Sequence, residues 1–262
     1  MTDDANSTGA QAPAGTPPQP APPATGGPPE ARAYADRLGI PYSLRSNNRT
    51  RRTIARRMGE AKRTVPHAYL SIRCAVDALQ AERRARAGGG KGPTVTDCLV
   101  RACALALRAE PRVNVGFGER ETVQFERADV SVAVATAQGL VVPVVRDAAA
   151  KSLECLSAEL RDLVSRARAG RLAPADLEGG TFTLSNLGNL GVRAVTPVIN
   201  PPQSAILGVG GIDTRLELRD GRPVEVEVVE CVLSFDHRTI DGDVAARWLQ
   251  AFRHAVENPQ TL

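Results

Sequence analysis

Aromatic residues are scarce in this sequence, and no part of it has the pattern of a membrane segment. Phe, Trp and Tyr make up 3% of the 262 residues, so aliphatic side chains and alanine must fill any interior. No apolar run reaches the roughly 18 residues that a membrane-spanning helix needs. The N-terminus also lacks the basic and apolar parts of a signal peptide. We therefore expect a cytoplasmic protein that has no membrane partner.

Cysteine pairs, histidine clusters and phosphate-binding loops are missing as well. The five cysteines form no C-x-x-C pair, and two of them fall in a strongly apolar helical pattern. We therefore expect reduced, buried thiols rather than disulfides. The three histidines are far apart in the sequence, and no G-x-x-x-x-G-K-[ST] loop occurs. The sequence thus predicts no metal site, and it assigns no residue to the binding of a cofactor.

Three segments of different composition follow one another along the chain. Residues 1–30 are rich in Pro, Ala, Gly and Thr, which predicts a disordered tail. Residues 31–44 contain a short helical pattern, and residues 45–262 alternate between helical and strand patterns. With 42% apolar residues in the whole chain, this last segment is long enough to bury the core of one domain.

The alternating patterns predict an α/β sandwich with a mixed sheet. Helices are predicted over residues 50–63, 77–87, 96–110, 243–256 and a stretch that begins after Ser152. Strands are predicted over residues 69–76, 128–136, 140–145, 181–184, 205–209 and 224–232. The helix over 50–63 is strongly basic, but no aromatic residues lie among its arginines and no nucleic-acid-binding motif accompanies it. We expect this helix to present a solvated face or a subunit contact, and we expect no nucleic-acid partner.

The stretch SFDHRTIDG, residues 234–242, is the most informative part of the sequence. It follows an alternating strand pattern and precedes a helical one, so His237 is predicted to lie on the turn between them. A carboxylate, Asp241, follows four positions later. Histidine is the side chain best suited to act as a base near neutral pH. A base fixed at a strand end is typical of proton abstraction from a thiol or a hydroxyl.

The ten residues LSFDHRTIDG resemble the active-site motif of the dihydrolipoyl acyltransferases, the core subunits of 2-oxo acid dehydrogenase complexes. That family shares the pattern His-x-x-x-Asp-Gly with chloramphenicol acetyltransferase. Other segments match the family in order and spacing: RRTIARRM (51–58), PHAYLSIRCAVD (66–77), GLVVPVVRDA (139–148), LEGGTFTLSNLGNLGV (177–192) and TPVINPPQSAILGVG (196–210). The resemblance covers roughly residues 45–262. It implies a chloramphenicol acetyltransferase-like two-layer α/β sandwich whose active site lies at the interface of a trimer.

The resemblance also implies roles for individual residues. The reaction would move an acyl group between coenzyme A, a thioester substrate, and a dihydrolipoyl thiol, with no covalently bound cofactor. His237 would be the general base, and the hydroxyl of Ser185 would stabilise the oxyanion. Asp241 would hold the loop through an ion pair with an arginine, and Arg52 is the nearest candidate. Arg238 would support the same loop, and Gly242 would allow tight entry into the last helix.

The two remaining histidines have predicted roles outside the chemistry. His67 follows a proline and precedes a predicted strand, so we expect it to be structural. His254 falls on the last predicted helix, and we expect it to face solvent.

Two features depart from the family's pattern and leave alternatives open. None of the three lysines lies in the Asp-Lys-Ala turn that carries the family's lipoyl group, so we expect a lipoylated carrier protein to supply the arm in trans. Residues 31–44 resemble only the first helix of the family's peripheral-subunit-binding module. We expect a homotrimer or a higher assembly, with dehydrogenase subunits as further partners. The alternatives are a stand-alone acyl-CoA-dependent transferase with a small-molecule or carrier acceptor, and a non-catalytic assembly scaffold.

Overall fold

The computed structural model describes residues 30–88 and 92–262, which fall into two compact units with a boundary between Ser46 and Asn47. The predicted tail over residues 1–30 therefore lies almost wholly outside the described residues. The described part of the chain contains no helix that is both long and apolar enough to cross a membrane.

The first unit contains the short helix that was predicted within residues 31–44. This helix, α1, spans Ala31–Leu38 and ends at Gly39, whose backbone is in the left-handed conformation with φ of 64°. No residue of α1 is buried. Beyond the helix, the hydroxyl of Tyr42 donates a hydrogen bond of 2.7 Å to the carboxylate of Asp36. The relation of this helix to a docking module stays a prediction.

The second unit alternates helices and strands. Its helices are α2 (Arg49–Thr64), α3 (Asp77–Ala87), α4 (Val95–Ala109), α5 (Leu153–Arg168) and α6 (Gly242–Glu257). Its long strands are β1 (His67–Ala75), β8 (Phe182–Asn186), β9 (Ala205–Arg219) and β10 (Arg222–Asp236). Its short strands are β2 (Val115–Phe117), β3 (Thr122–Gln124), β4 (Val130–Val132), β5 (Val134–Thr136), β6 (Gly139–Val141) and β7 (Val144–Val145).

A six-stranded mixed sheet in the order β1-β10-β9-β8-β4-β7 is the frame of this unit. β8 runs parallel to both of its neighbours, β9 and β4, whereas the other adjacent strands are antiparallel. Helices α3 to α6 pack over one face and bury a single large apolar cluster against it. The indole ring of Trp248 on α6 lies 5.0 Å from the ring of Phe182 and 5.5 Å from that of Phe252, measured between centroids. The predicted α/β sandwich is thus confirmed.

The chain itself covers part of the other face of the sheet. A Cβ atom at Gly208 of β9 would lie 2.4 Å from the carbonyl oxygen of Val195, and one at Gly210 would lie 1.8 Å from that of Arg193. Only glycine permits such close approach of two backbone segments. The segment over residues 192–197 therefore runs directly across β9, and it leads into the loop that precedes this strand.

β9 and β10 form one long hairpin whose outer half extends beyond the rest of the sheet. Its two-residue turn is Asp220–Gly221, in which both residues have positive φ, as a tight hairpin turn requires. β8 pairs with β9 only as far as Val209, and β1 pairs with β10 only from Val228 onward. The outer half is therefore a two-stranded ribbon, and its side chains of Leu216 and Leu218 are 73% and 78% exposed.

Several predicted strands differ from the observed ones. The predicted strand over residues 128–136 is two strands, because β4 belongs to the large sheet while β5 pairs with β6 in a separate hairpin. The change occurs at Ala133, whose N–H donates to the carbonyl of Leu184. The predicted strand over residues 140–145 is likewise divided at Pro143. The strands predicted over 205–209 and 224–232 are both longer, and the β2–β3 hairpin was not predicted.

Candidate active site

His237 lies on the turn between β10 and α6, as predicted. Its backbone N–H donates to the carbonyl of Pro66 at 3.1 Å, and its ring lies 5.7 Å from the ring of Phe235. The side chain is exposed, and within the described part of one chain no group forms a hydrogen bond with its imidazole. The backbone of His237 is thus fixed while its ring stays accessible, which is the arrangement that a general base needs.

The turn is held by Asp236, a residue that the sequence analysis did not single out. This carboxylate is 2% exposed and accepts hydrogen bonds from the backbone N–H of Arg238 at 3.0 Å and from its guanidinium at 2.7 and 2.9 Å. The hydrogen bond to Asp236 raises the pKa of Arg238. The guanidinium of Arg238 also lies 3.7 Å from the centroid of the Phe117 ring. In the sequence, the signal that could have pointed to Asp236 is its position as a charged residue directly after a strand pattern.

The ion pair expected between Arg52 and Asp241 is not present in one chain. Both residues are exposed, and no salt bridge joins them within the described residues. The pair that supports the turn is instead Asp236 with Arg238, which are two positions apart and need no other helix. Asp241 starts α6 through its carbonyl, which accepts from the N–H of Ala245 at 3.0 Å.

Gly242 does not have the role that was predicted for it. A Cβ atom at this position would meet no other atom within 4 Å, and the backbone is not in the left-handed region. In one chain, therefore, the entry into α6 does not require glycine.

Ser185 is the fourth residue of β8, on the sheet face opposite helices α3 to α6. Its neighbours Leu184 and Phe182 point into the apolar cluster, whereas Ser185 is only partly buried. Within the described part of one chain no group forms a hydrogen bond with its hydroxyl, which is therefore free to donate to a ligand. The next residue, Asn186, fixes the turn that follows: its side chain accepts from the N–H of Gly188 at 2.9 Å and donates to the hydroxyl of Thr96 at 3.1 Å.

One chain places Ser185 and His237 far apart on the sheet. Ser185 is level with Gly208 on β9, and Gly208 is level with Val232 on β10, five residues before His237. Two strand spacings across and five residues along correspond to a separation of roughly 19 Å. A base and an oxyanion donor must both lie within hydrogen-bond distance of the same small group. These two side chains therefore cannot serve one reaction within a single chain.

A cleft of about 500 Å³ lies beside the His237 turn. Its walls include three arginines, Arg56, Arg57 and Arg238, and an apolar side formed by Phe117, Pro201 and Pro202. The first two arginines are exposed on α2. Two carboxylates, Glu60 and Asp236, also line the cleft and pair with Arg56 at 3.9 Å and with Arg238 at 2.7 Å. The cleft therefore combines arginines, two of them paired, with an apolar surface.

The other histidines and the cysteines lie in different surroundings. His67 at the start of β1 is partly buried, and both of its ring nitrogens have hydrogen-bond partners, which agrees with a structural role. His254 on α6 is exposed, as predicted. The five cysteines are free, and all but Cys155 are buried, so the prediction of a buried thiol is wrong for Cys155. Burial raises the pKa of the Cys98 thiol to about 12, so this sulfur stays protonated at neutral pH. Nowhere among residues 30–88 and 92–262 do three His, Cys, Asp or Glu side chains come together as a set that could hold a metal ion.

Comparison with known proteins agrees with this architecture. The family model described as the 2-oxoacid dehydrogenases acyltransferase catalytic domain matches residues 42–262. The chain therefore belongs to this acyltransferase family, and the resemblance drawn from its motifs is confirmed.

Individual relatives are dihydrolipoyllysine-residue acetyltransferase components of pyruvate dehydrogenase complexes. The protein from Zymomonas mobilis is 42% identical over 223 residues, which cover 84% of this chain and 51% of that protein. The protein from Rhizobium meliloti is 41% identical over 226 residues, or 83% of this chain and 51% of that one. The chain thus spans about half the length of these curated relatives.

Solved structures of similar proteins share the fold. A probable dihydrolipoamide acetyltransferase from Listeria monocytogenes is 32% identical with a TM-score of 0.79, covering 83% of this chain and 95% of that one. The Azotobacter vinelandii dihydrolipoamide acetyltransferase is 29% identical with a TM-score of 0.83, covering 89% and 97%. The Azotobacter structure comes from an investigation of the roles of one serine, one histidine and one asparagine in the catalytic mechanism.

Proposed function

We propose that residues 45–262 form a catalytic domain that transfers an acyl group between coenzyme A and a dihydrolipoyl thiol. The acyl group is acetyl, since the similar proteins named above are acetyltransferases of pyruvate dehydrogenase complexes. His237 is the general base and Ser185 is the oxyanion donor.

The observation that carries this proposal is the spacing of three polar residues. In the Azotobacter acetyltransferase the serine lies 52 positions before the histidine, and the asparagine lies four positions after it. Here Ser185 lies 52 positions before His237, and Asp241 lies four positions after it. Asp241 thus occupies the place of the asparagine, and a carboxylate replaces an amide there. This substitution supports a positioning role for Asp241 rather than a proton relay.

Proton transfer to His237 begins the proposed reaction. A thiol with a pKa near 8.5 is mostly protonated at neutral pH, whereas an imidazole near 6.5 is mostly free to accept its proton. As His237 takes the proton, the sulfur of coenzyme A attacks the carbonyl carbon of the acyl-dihydrolipoyl thioester. The resulting oxyanion accepts a hydrogen bond from Ser185. Collapse of this intermediate breaks the bond to the dihydrolipoyl sulfur, which then receives the proton from His237.

The roughly 19 Å between Ser185 and His237 in one chain supports a site shared by two copies of the chain. We propose a cyclic trimer, in which each His237 meets the Ser185 of a neighbouring copy. The exposed apolar ribbon at the end of β9 and β10 is a surface that such an assembly would cover.

The cleft beside the His237 turn is the proposed place for the phosphate groups of coenzyme A. Arg56 and Arg57 can pair with phosphates at its edge, because guanidinium groups bind them through paired hydrogen bonds. The apolar wall suits the pantetheine chain, whose thiol must reach His237. None of the three lysines in this sequence lies in an Asp-Lys-Ala turn, so the lipoyl arm comes from outside this sequence, on a carrier that associates with dehydrogenase subunits.

The decisive experiment is an exchange assay with purified protein, acetyl-CoA and free dihydrolipoamide, with S-acetyldihydrolipoamide quantified by mass spectrometry. We expect robust exchange by the native chain. His237→Ala should lower kcat by about 10²–10⁴, because a positioned base contributes a factor of this size. His254→Ala, which removes an exposed histidine from α6, is the matched control and should leave the rate unchanged.

Other outcomes would favour other functions. An unchanged rate in His237→Ala refutes the role of this residue. Exchange only with another thiol, amine or hydroxyl acceptor would indicate a stand-alone acyl-CoA-dependent transferase, which the lysine contexts favour as the second candidate. No exchange with any acceptor would leave the assembly scaffold as the function.

A further inference from the structure

The side chain of His67 joins two segments of backbone that are far apart in sequence. Its Nδ1 lies 2.8 Å from the carbonyl oxygen of Val65, at the end of α2. Its Nε2 lies 3.1 Å from the backbone nitrogen of Ile199, in the loop before β9. The ring is partly buried, and its centroid lies 6.1 Å from that of the Tyr69 ring.

These two partners determine where the proton of the imidazole lies. A carbonyl oxygen can only accept, so Nδ1 carries the hydrogen and donates it to Val65. A backbone N–H can only donate, so Nε2 carries the lone pair and accepts from Ile199. Both contacts are satisfied only by the neutral ring with hydrogen on Nδ1. His67 is therefore a fixed tautomer between two backbone groups.

The two joined segments are those that hold the turn of the catalytic base. Pro66 lies between Val65 and His67, and its carbonyl oxygen accepts a hydrogen bond from the N–H of His237. The loop that contains Ile199 leads to Ser204, whose carbonyl oxygen accepts a hydrogen bond from the N–H of Asp236 at 2.8 Å. The backbone N–H groups of Asp236 and His237 are thus bonded to two segments, and the ring of His67 forms hydrogen bonds with both segments.

Further contacts surround the two hydrogen bonds of His67. Val65, Ile199 and Ile206 form a small apolar cluster that is separate from the main core. The hydroxyl of Ser234 on β10 also donates to the carbonyl of Pro197 at 2.7 Å, in the same loop as Ile199. This loop is therefore bonded to the sheet at several points, through His67 and Ser234 and also through Gln203 and Ser204.

We infer that His67 is a positioning residue for the acyl-transfer site. It acts through Pro66 and through the loop over residues 197–204. It thereby positions the backbone of the His237 turn, and so the imidazole, relative to the neighbouring copy. This inference rests on the role proposed for His237. The effect of His67 should appear in kcat, because its contacts are with the backbone that carries the base. Since Val65 and the loop over residues 197–204 also line the cleft, we expect the KM for acetyl-CoA to change as well.

The test compares two substitutions at His67 in the chain of 262 residues. His67→Phe keeps a ring beside Tyr69 but removes both hydrogen bonds, and we expect kcat to fall about 10- to 100-fold, the range that small misplacements of catalytic groups produce. His67→Gln can place its amide oxygen near the position of Nε2, and we expect it to recover a substantial part of that loss. His254→Phe is the matched control. Circular dichroism and size-exclusion chromatography report whether each variant folds and assembles.

Nuclear magnetic resonance of chain labelled with ¹⁵N at histidine supplies a readout that does not depend on turnover. With three histidines in the sequence, each signal can be assigned by substitution. We expect His67 to show the tautomer protonated on Nδ1 at neutral pH, and the His237 signals to shift in His67→Phe but not in His254→Phe. A tautomer protonated on Nε2, unmoved His237 signals, or a His67→Phe variant with kcat within twofold of the native chain would each overturn the inference. If the native chain catalyses no exchange, the proposed function fails. The His67 tautomer and the His237 signals still show in that case whether His67 positions the His237 turn.

Discussion

Asp129 shows how one buried carboxylate joins two segments of the chain. It accepts hydrogen bonds from the guanidinium of Arg127 at 2.7 and 2.8 Å and from the backbone N–H of Asp147 at 2.7 Å. Asp147 has a φ of 40°, so this contact also stabilises a backbone conformation that residues other than glycine rarely adopt. Burial by itself would raise the pKa of Asp129, but these hydrogen bonds outweigh it and hold the pKa below 3.8.

This carboxylate predicts a pH-dependent loss of stability. Asp129→Asn should lower the free energy of unfolding by about 2 kcal/mol at pH 7, because it removes charge-assisted hydrogen bonds. A depressed folded-state pKa stabilises above the unfolded-state value and loses that effect as the pH falls through the folded-state value. The difference between native and variant chains should therefore shrink as the pH falls below about 4. Urea unfolding at a series of pH values, at one protein concentration, measures it.

Glu126→Gln, at an exposed position nearby, is the control and should match the native chain at every pH. A deficit in Asp129→Asn that stays constant down to pH 3 would contradict the assignment of the effect to this carboxyl group.

At the same scale, the sequence singled out the proposed base, His237, but not the contacts that support it. His237 and Ser185 could be predicted because family motifs surround them, and the structure leaves both side chains accessible. The hydrogen bonds of Asp236 and of His67 could not be predicted, because they depend on how close β1, β10 and the loop before β9 lie in space. The partner of Asp241 stays a prediction, since one chain does not bring Arg52 and Asp241 together.

At the scale of helices and strands, local patterns predicted the helices better than the strands. α4 begins with a capping box in which Thr94 accepts from the N–H of Asp97 and Asp97 accepts from that of Thr94, and its start is readable from sequence. The break between β4 and β5 is not readable, because it arises when the partner strand changes. The predicted strand over 205–209 ends before Gly210 and Gly211, whereas β9 continues to Arg219 and the turn is at Asp220–Gly221.

The turn after β8 carries a prediction about catalysis. Asn186→Ala removes the two hydrogen bonds that fix this turn beside Ser185. We expect kcat to fall roughly tenfold, because the proposed oxyanion donor, Ser185, is then less well placed. The KM for acetyl-CoA should stay within about twofold, because the cleft is not touched. Steady-state kinetics of the exchange reaction measure both.

Asn189→Ala tests the same turn at an exposed position where no described group bonds to the side chain, and it should behave as the native chain does. Equal effects of the two alanine variants would mean that the side chain of Asn186 does not hold the site.

For the whole molecule, the separation of Ser185 and His237 predicts complementation between inactive chains. Ser185→Ala and His237→Ala should each be strongly impaired alone. In a cyclic trimer that contains both, one of the three interfaces combines an intact serine with an intact histidine. Refolding equal amounts of the two variants together should therefore restore about a quarter of the native exchange rate, since some trimers contain one variant only.

The control is a mixture of the two variants refolded separately, in which chains have not redistributed. If refolding together gives no more activity than this mixture, the site is formed within one chain, and the proposed trimer interface is wrong.

The outer ribbon of β9 and β10 also matters for biosynthesis. A newly released chain carries this ribbon with both strand edges open and with Leu216 and Leu218 in contact with water. Open edges and apolar patches promote aggregation. In the proposed trimer this surface is covered only after two copies meet, so we expect slow expression at low temperature to increase the recovered fraction.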